Sequence, residues 1–145
     1  MINFCPIDSY RTVKIFTESE CQFICKLYKN EDLSKGETHC GSNSHRKSSI
    51  SWIKFNPKVN GWIFKKLNKA FAYANYFFQY DIDGFDRFQL TVYNENDYYD
   101  WHTDGLINDH MGYRKLSCAM PINDDFTGGK FEIFKDGKET IDLKI

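Results

Sequence analysis

The run Phe88-Gln89-Leu90-Thr91-Val92-Tyr93, with Tyr99-Asp100-Trp101-His102-Thr103-Asp104 beginning six positions later, decides the class of fold. Its β-branched and aromatic residues alternate with polar ones, the period of two expected of a half-buried strand. Upstream the period is helical. Cys21, Ile24, Cys25 and Tyr28 recur at three- and four-residue spacing, as do Val59, Trp62, Ile63, Leu67, Ala70, Phe71 and Ala74. The first helix is predicted over 17–30, opened by a Thr17-x-x-Glu20 capping box with Phe16 and Cys21 placed as a hydrophobic staple. The second is predicted to open at Asn56-Pro57, since proline is tolerated in a first turn.

Around these lie shorter elements. The polar stretch 31–49 reads as a loop, and Ile50 and Trp52 alternate with polar neighbours as a short strand. From Phe77 onward strands are predicted over 77–81, 88–93, 98–102, 114–122, 130–134 and 140–145. Asp83-Gly84, Gly128-Gly129 and Asp136-Gly137 serve as turns, and a loop is expected over 103–113. The Gly128-Gly129 pair calls for positive φ. Helices followed by a run of short antiparallel strands predict an α+β domain built on a sandwich or barrel.

Composition narrows the class further. The chain has 145 residues, 41% hydrophobic and 17% aromatic, enough to build one core; a single domain over 1–145 is expected. A net charge of −1 offers no field to draw the chain to nucleic acid or anionic lipid, so neither nucleic acid nor membrane is expected as a partner. No apolar run reaches membrane-spanning length, and the first residues lack the pattern of a signal peptide. With five cysteines, an odd number, and no secretion signal, the expectation is a cytoplasmic chain with reduced thiols.

His102 and Asp104 are the leading chemical candidates. Two residues apart on an extended backbone, they project from one face and supply two-thirds of a two-His, one-carboxylate triad of the kind that holds Fe(II) with open positions. The plainer alternative is an ordinary His–Asp contact at a strand end. Tyr99 and Trp101 fall out of phase with His102 and are expected to pack. Cys21, Cys25, His39 and His45 match a loose zinc pattern, with Cys40 as another donor; Cys21 and Cys25 on the apolar stripe read more simply as core.

Taken in order, Arg46-Lys47-Ser48-Ser49-Ile50-Ser51-Trp52-Ile53, Gln89 to Tyr93, Tyr99 to Asp104, Arg114 to Ser117 and Asp125-Phe126-Thr127-Gly128-Gly129-Lys130-Phe131-Glu132 resemble the Fe(II)/2-oxoglutarate-dependent dioxygenases. The likeness is to the prolyl 4-hydroxylase-like branch that includes the PKHD-type hydroxylases of bacteria and phages, and it runs from about residue 46 onward. It implies a double-stranded β-helix, or jelly-roll, with the two helices packed on its major sheet. It implies Fe(II) held by His102 and Asp104, and 2-oxoglutarate as cosubstrate with Tyr93 at its distal carboxylate; read without the family, Tyr93 is a core aromatic. Ascorbate enters as an accessory reductant. The implied reaction couples decarboxylation of 2-oxoglutarate to succinate with hydroxylation of a protein or peptide side chain such as proline, or of a small molecule.

The family also places a second iron-binding His and a cosubstrate-binding Arg or Lys on later strands. This sequence has no His after His110 and no Arg after Gly129. The expectation is therefore a core incomplete at its C-terminal end relative to the family, with His110 a distant substitute ligand. Its final strand is left open to a partner chain. The alternative is a catalytically silent or split domain that acts through binding.

Overall fold

Helix α1 (Glu18–Leu27) starts at the predicted capping box. The Glu20 amide donates to Thr17 Oγ1 at 3.3 Å, and the Thr17 amide donates to Glu20 Oε2 at 2.8 Å. The two staple residues, Phe16 and Cys21, are both buried. These details come from a computed structural model that describes Tyr10 and residues 12–36, 45–85, 87–104, 107–108, 112–134 and 137–141.

Helix α2 (Gly61–Phe78) opens later than the proline signal predicts. Residues 57–60 form a turn, closed by the buried Asn60, whose Oδ1 accepts from the Asn56 amide at 2.8 Å while Nδ2 donates to Lys54 O at 2.9 Å. Gly61 thus stands at the first helical position, where its flexibility costs less than in mid-helix. At the other end the helix runs through Phe77 and Phe78, which corrects the strand predicted over 77–81. The tract Phe71 to Phe78 carries no strict polar alternation, so an established helix propagates through it. It stops at Gln79, which adopts a left-handed conformation (φ 53°) and donates its amide to Asn75 O at 2.7 Å.

The strands are short: β1 (Ser34–Lys35), β2 (Arg46–Lys47), β3 (Ser49–Ile53), β4 (Phe88–Val92), β5 (Tyr98–Tyr99), β6 (Ile107–Asn108), β7 (Gly112–Tyr113), β8 (Phe131–Phe134) and β9 (Lys138–Ile141). All ladders are antiparallel. They give one three-stranded sheet in the order β1-β3-β4 and three two-stranded pairs, β2-β5, β6-β7 and β8-β9. The predicted loop 31–49 therefore contains β1 and β2, and the loop 103–113 contains a small hairpin. No ladder forms over 114–122, contrary to expectation; Pro121 there has no N–H to give to one. The β8–β9 connection includes Gly137 at φ 138°, and Gly128 and Gly129 take the positive φ predicted for them, 82° and 60°. Residues 142–145 of the predicted last strand lie outside the described residues.

Two helices and small antiparallel sheets make a mixed helix-and-sheet arrangement. No closed double-stranded β-helix is shown among the described residues. Phe16, Cys21, Ile24, Ile63 and Leu67 form the buried cluster between the helices, joined by Trp62, Tyr28, Phe88 and Ile122. Phe88 brings β4 to α2, its ring 4.8 Å from that of Phe64. Among the described residues no helix is long and apolar enough to cross a membrane.

The site depends on one detail of register. In β3–β4, Ser49 pairs with Val92, Ile50 with Thr91 and Trp52 with Gln89. Continuing that register would set Lys47 opposite Asn94, yet Lys47 lies opposite Tyr98, four residues on. Residues 94–97 account for the offset by forming a turn, with the Asp97 amide donating to Asn94 O at 3.0 Å and Asn96 at φ 62°. Because the excursion is even, Tyr99 keeps the face that Gln89, Thr91 and Tyr93 share. Arg46, Ser48, Ile50 and Trp52 come to that same face from the other side of the ladder.

Candidate functional site

The polar end of this face is organised by Arg46. The residue is only 6% exposed. Its Nε donates to Ser48 Oγ at 2.7 Å, and Nη2 donates to Gln89 Oε1 at 2.9 Å and more distantly to Thr91 Oγ1 at 3.5 Å. Its guanidinium carbon lies 4.5 Å from the centroid of the Tyr99 ring, a cation–π contact. Gly36 closes in from β1; a Cβ there would approach Arg46 Nε to 2.9 Å and meet Ser48 Oγ as well, so a side chain has no room. Among the described residues, no carboxylate forms an ion pair with Arg46. Burying a cation costs several kcal/mol, which the neutral acceptors described here offset in part.

Tyr93 stands beside it, half exposed. Crowding by protein atoms pushes its phenol above the usual tyrosine range, and the Arg46 guanidinium opposes that through its charge and a side-chain hydrogen bond. The turn that delivers Tyr98 and Tyr99 is pinned from two directions. Asp97 accepts from the Asn94 amide at 2.8 Å and pairs with Lys47 Nζ at 3.1 Å. The amide bond first, and Lys47 after it, hold its carboxyl below the ordinary range.

His102 and Asp104 meet, as the two-residue spacing predicts: Nε2 lies 3.3 Å from Asp104 Oδ1. The route differs from the prediction. Strand β5 ends at Tyr99, and the segment after it is not extended ladder. The phase argument therefore fails for Tyr99, whose ring stacks on the His102 imidazole with centroids 3.6 Å apart and planes 11° from parallel. Trp101 meets Phe134 of β8 edge-on at 6.2 Å. His45 lies across from Asp100, with Nδ1 3.7 Å from Asp100 Oδ2 and its carbonyl accepting the Asp100 amide at 2.8 Å.

The hydrogen bonds of His102 fix its chemistry. Nδ1 is 2.7 Å from the Asp100 carbonyl, which can only accept, so Nδ1 carries the proton. Nε2 faces a carboxylate oxygen at 3.3 Å, an ion pair if Nε2 is also protonated and two facing acceptors if it is not. Two such atoms repel unless a cation, either a proton or a metal ion, stands between them. Donors bound to one ion at about 2.1 Å and at a right angle sit about 3.0 Å apart, so the pair suits two adjacent positions around a metal. A backbone acceptor on the far ring nitrogen is the usual companion of a metal-binding His. Among the described residues, no group of three or more His, Cys, Asp or Glu side chains is placed to hold a metal ion. His110, the distant substitute, lies outside the described residues, as do His39 and Cys40 of the zinc pattern.

Of the other zinc candidates, His45 is exposed beside Asp100, away from the two cysteines, which belong to the core side of α1. Cys21 is buried, and the Cys25 thiol donates to Ile122 O at 3.2 Å. Burial raises both thiols above the ordinary cysteine value, which disfavours the thiolate a metal needs. The feature that sequence reasoning left without a role is the Arg46 cluster. Its signal was present as Arg-x-Ser opposite Gln-x-Thr-x-Tyr, but a face of polar residues gains meaning only with the register. Comparison of the chain with family models found no match, and comparisons with curated proteins and with solved structures found none.

Proposed function

We propose that this chain is an Fe(II)/2-oxoglutarate-dependent hydroxylase acting on a protein or peptide side chain such as proline. The observation that carries the reading is the His102–Asp104 pair, with Nε2 3.3 Å from Oδ1 and Nδ1 held by a backbone carbonyl. His102 and Asp104 would hold the iron, and Tyr93 would meet the distal carboxylate of 2-oxoglutarate. The same reading carries with it a double-stranded β-helix core, which the sequence resemblance implies. When bound, Fe(II) supplies the redox chemistry that couples loss of carbon dioxide from 2-oxoglutarate to hydroxylation. The chain's own share is positional. Asp100 O and the Tyr99 ring hold the imidazole in one tautomer and one plane, and Asp104 supplies the anionic donor. The cytoplasm, where thiols stay reduced, is the compartment this reading calls for.

A second reading has its own support. With two donors and no third among the described residues, a domain of this kind could bind its ligand without turnover. One experiment separates the two. In an anaerobic titration with Fe(II) and 2-oxoglutarate, the active reading expects a saturable visible charge-transfer band that is lost in His102→Ala and in Asp104→Ala. Absence of the band in the unaltered protein at any concentration leaves the silent reading.

A further inference from the structure

The solvent face of α2 changes character along its length. Ile63 and Leu67 mark the buried side of the helix. Away from them Lys65, Lys69, Tyr73 and Tyr76, spaced by four, four and three residues, stand exposed along one face. Every charged residue of the helix is a lysine in its first half. One of these, Lys66, is committed to Glu20 of α1, and Lys65 and Lys69 belong to the exposed face. The second half of the face is aromatic. Tyr73 is 56% and Tyr76 75% exposed, and both rings touch that of Phe77, at 5.2 and 5.5 Å. The helix macrodipole favours the reverse order, acids early and cations late, so the stability of the helix does not account for the lysines.

The chain beyond the helix adds the opposite charge. The Asn75 side chain accepts the Tyr80 amide and donates to the Tyr80 carbonyl, which fixes where the chain leaves α2. Phe85 then returns to the helix, its ring 5.7 Å from that of Phe71. Between these two anchors lie Asp81 and Asp83, both exposed, with the exposed rings of Tyr80 and Phe85 beside them. The surface thus runs from cationic through aromatic to acidic.

A cluster of exposed aromatic rings on this scale marks a contact surface more often than bare surface. Its charge order selects the occupant. Two copies meeting along α2 in antiparallel sense, about a twofold axis near Tyr73, set Lys69 of one copy against the Tyr76 ring of the other, a cation–π pairing. Lys65 then points toward the acidic end, Asp81 and Asp83, of the second copy. A parallel meeting would bring like charges together. We propose that this face of α2, with Asp81 and Asp83, is the contact surface of an antiparallel twofold dimer of the chain. The proposal is independent of the roles given to His102 and Asp104.

Sedimentation velocity over a dilution series tests it. The unaltered protein is expected to sediment as a dimer that dissociates on dilution through the micromolar range. The double variants Lys65→Glu/Lys69→Glu and Asp81→Lys/Asp83→Lys should each sediment as monomers. An equimolar mixture of the two should dimerise again, because each reversed end then meets its opposite, and that recovery also shows both variants to be folded. Three results overturn the proposal: a monomer at every concentration of the unaltered chain, which gives the face to an unlike partner or to none; a dimer that survives both charge reversals; and folded monomeric variants that fail to pair when mixed. Should either double variant lose its helical circular dichroism, Tyr76→Glu at its exposed site decides, loss of the dimer supporting the proposal and retention overturning it.

Discussion

The imidazole of His102 is held at its edge by the Asp100 carbonyl and across its face by the Tyr99 ring. A ligand that must present one lone pair in one direction benefits from both constraints, because a free ring would lose rotational entropy on binding metal. Tyr99→Ala is expected to weaken metal binding about tenfold, and Tyr99→Phe, which keeps the stack, to restore it; Mn(II) titration of the two variants checks this. His102 and Asp104 are near each other, as their spacing of two suggested, but the strand on which that expectation rested ends at Tyr99. The partner of the imidazole was not legible in the sequence, since Tyr99 reaches it only where the chain leaves the strand. Arg46 was legible as a motif and illegible as a buried cation, because its acceptors Gln89 and Thr91 come from 43 and 45 residues away.

Local signals were reliable wherever the interaction was itself local. The capping box needs only Thr17 and Glu20, and both of its hydrogen bonds are present. Glu20 also reaches across to α2, where Lys66 Nζ donates to its two oxygens at 2.6 and 2.7 Å. Thr17→Ala should therefore destabilise the fold by about 1 kcal/mol, read by urea unfolding. Lys66 above all, and then the Thr17 amide, hold the Glu20 carboxyl below its ordinary value of 4.5. A depressed folded pKa contributes stability that is complete above the ordinary value and is lost as pH falls through the lowered one. The stability gap between the unaltered protein and Glu20→Gln should thus be wider at pH 7 than at pH 3. Element boundaries were harder to read. The aromatic tract through Phe78 suits either period, and what ends the helix is the side chain of Asn75, which accepts the Tyr80 amide at 3.0 Å and donates to the Tyr80 carbonyl at 2.9 Å.

At the scale of the molecule, the buried cluster is small and lies between the helices, while many large aromatics keep substantial exposure. Leu67, 3% exposed and packed with Ile63, Ile24 and Phe16, should be costly to truncate: Leu67→Ala is expected to lose about 2–5 kcal/mol. That is a large share of the roughly 5–15 kcal/mol typical of a domain, so the variant's urea midpoint should fall sharply. The mixed helix-and-sheet class was legible because two periods occupy two parts of the chain. The pairing of β2 with β5 was not, since a four-residue detour has no hydrophobic signature. What holds the ring to the cation is the pairing beyond that detour and not its length. A longer or shorter 94–97 turn that kept Arg46 opposite Tyr99 would leave the ring facing the guanidinium, whereas a slip of β5 by one residue against β2 would turn the ring to the helix side and separate cation from imidazole.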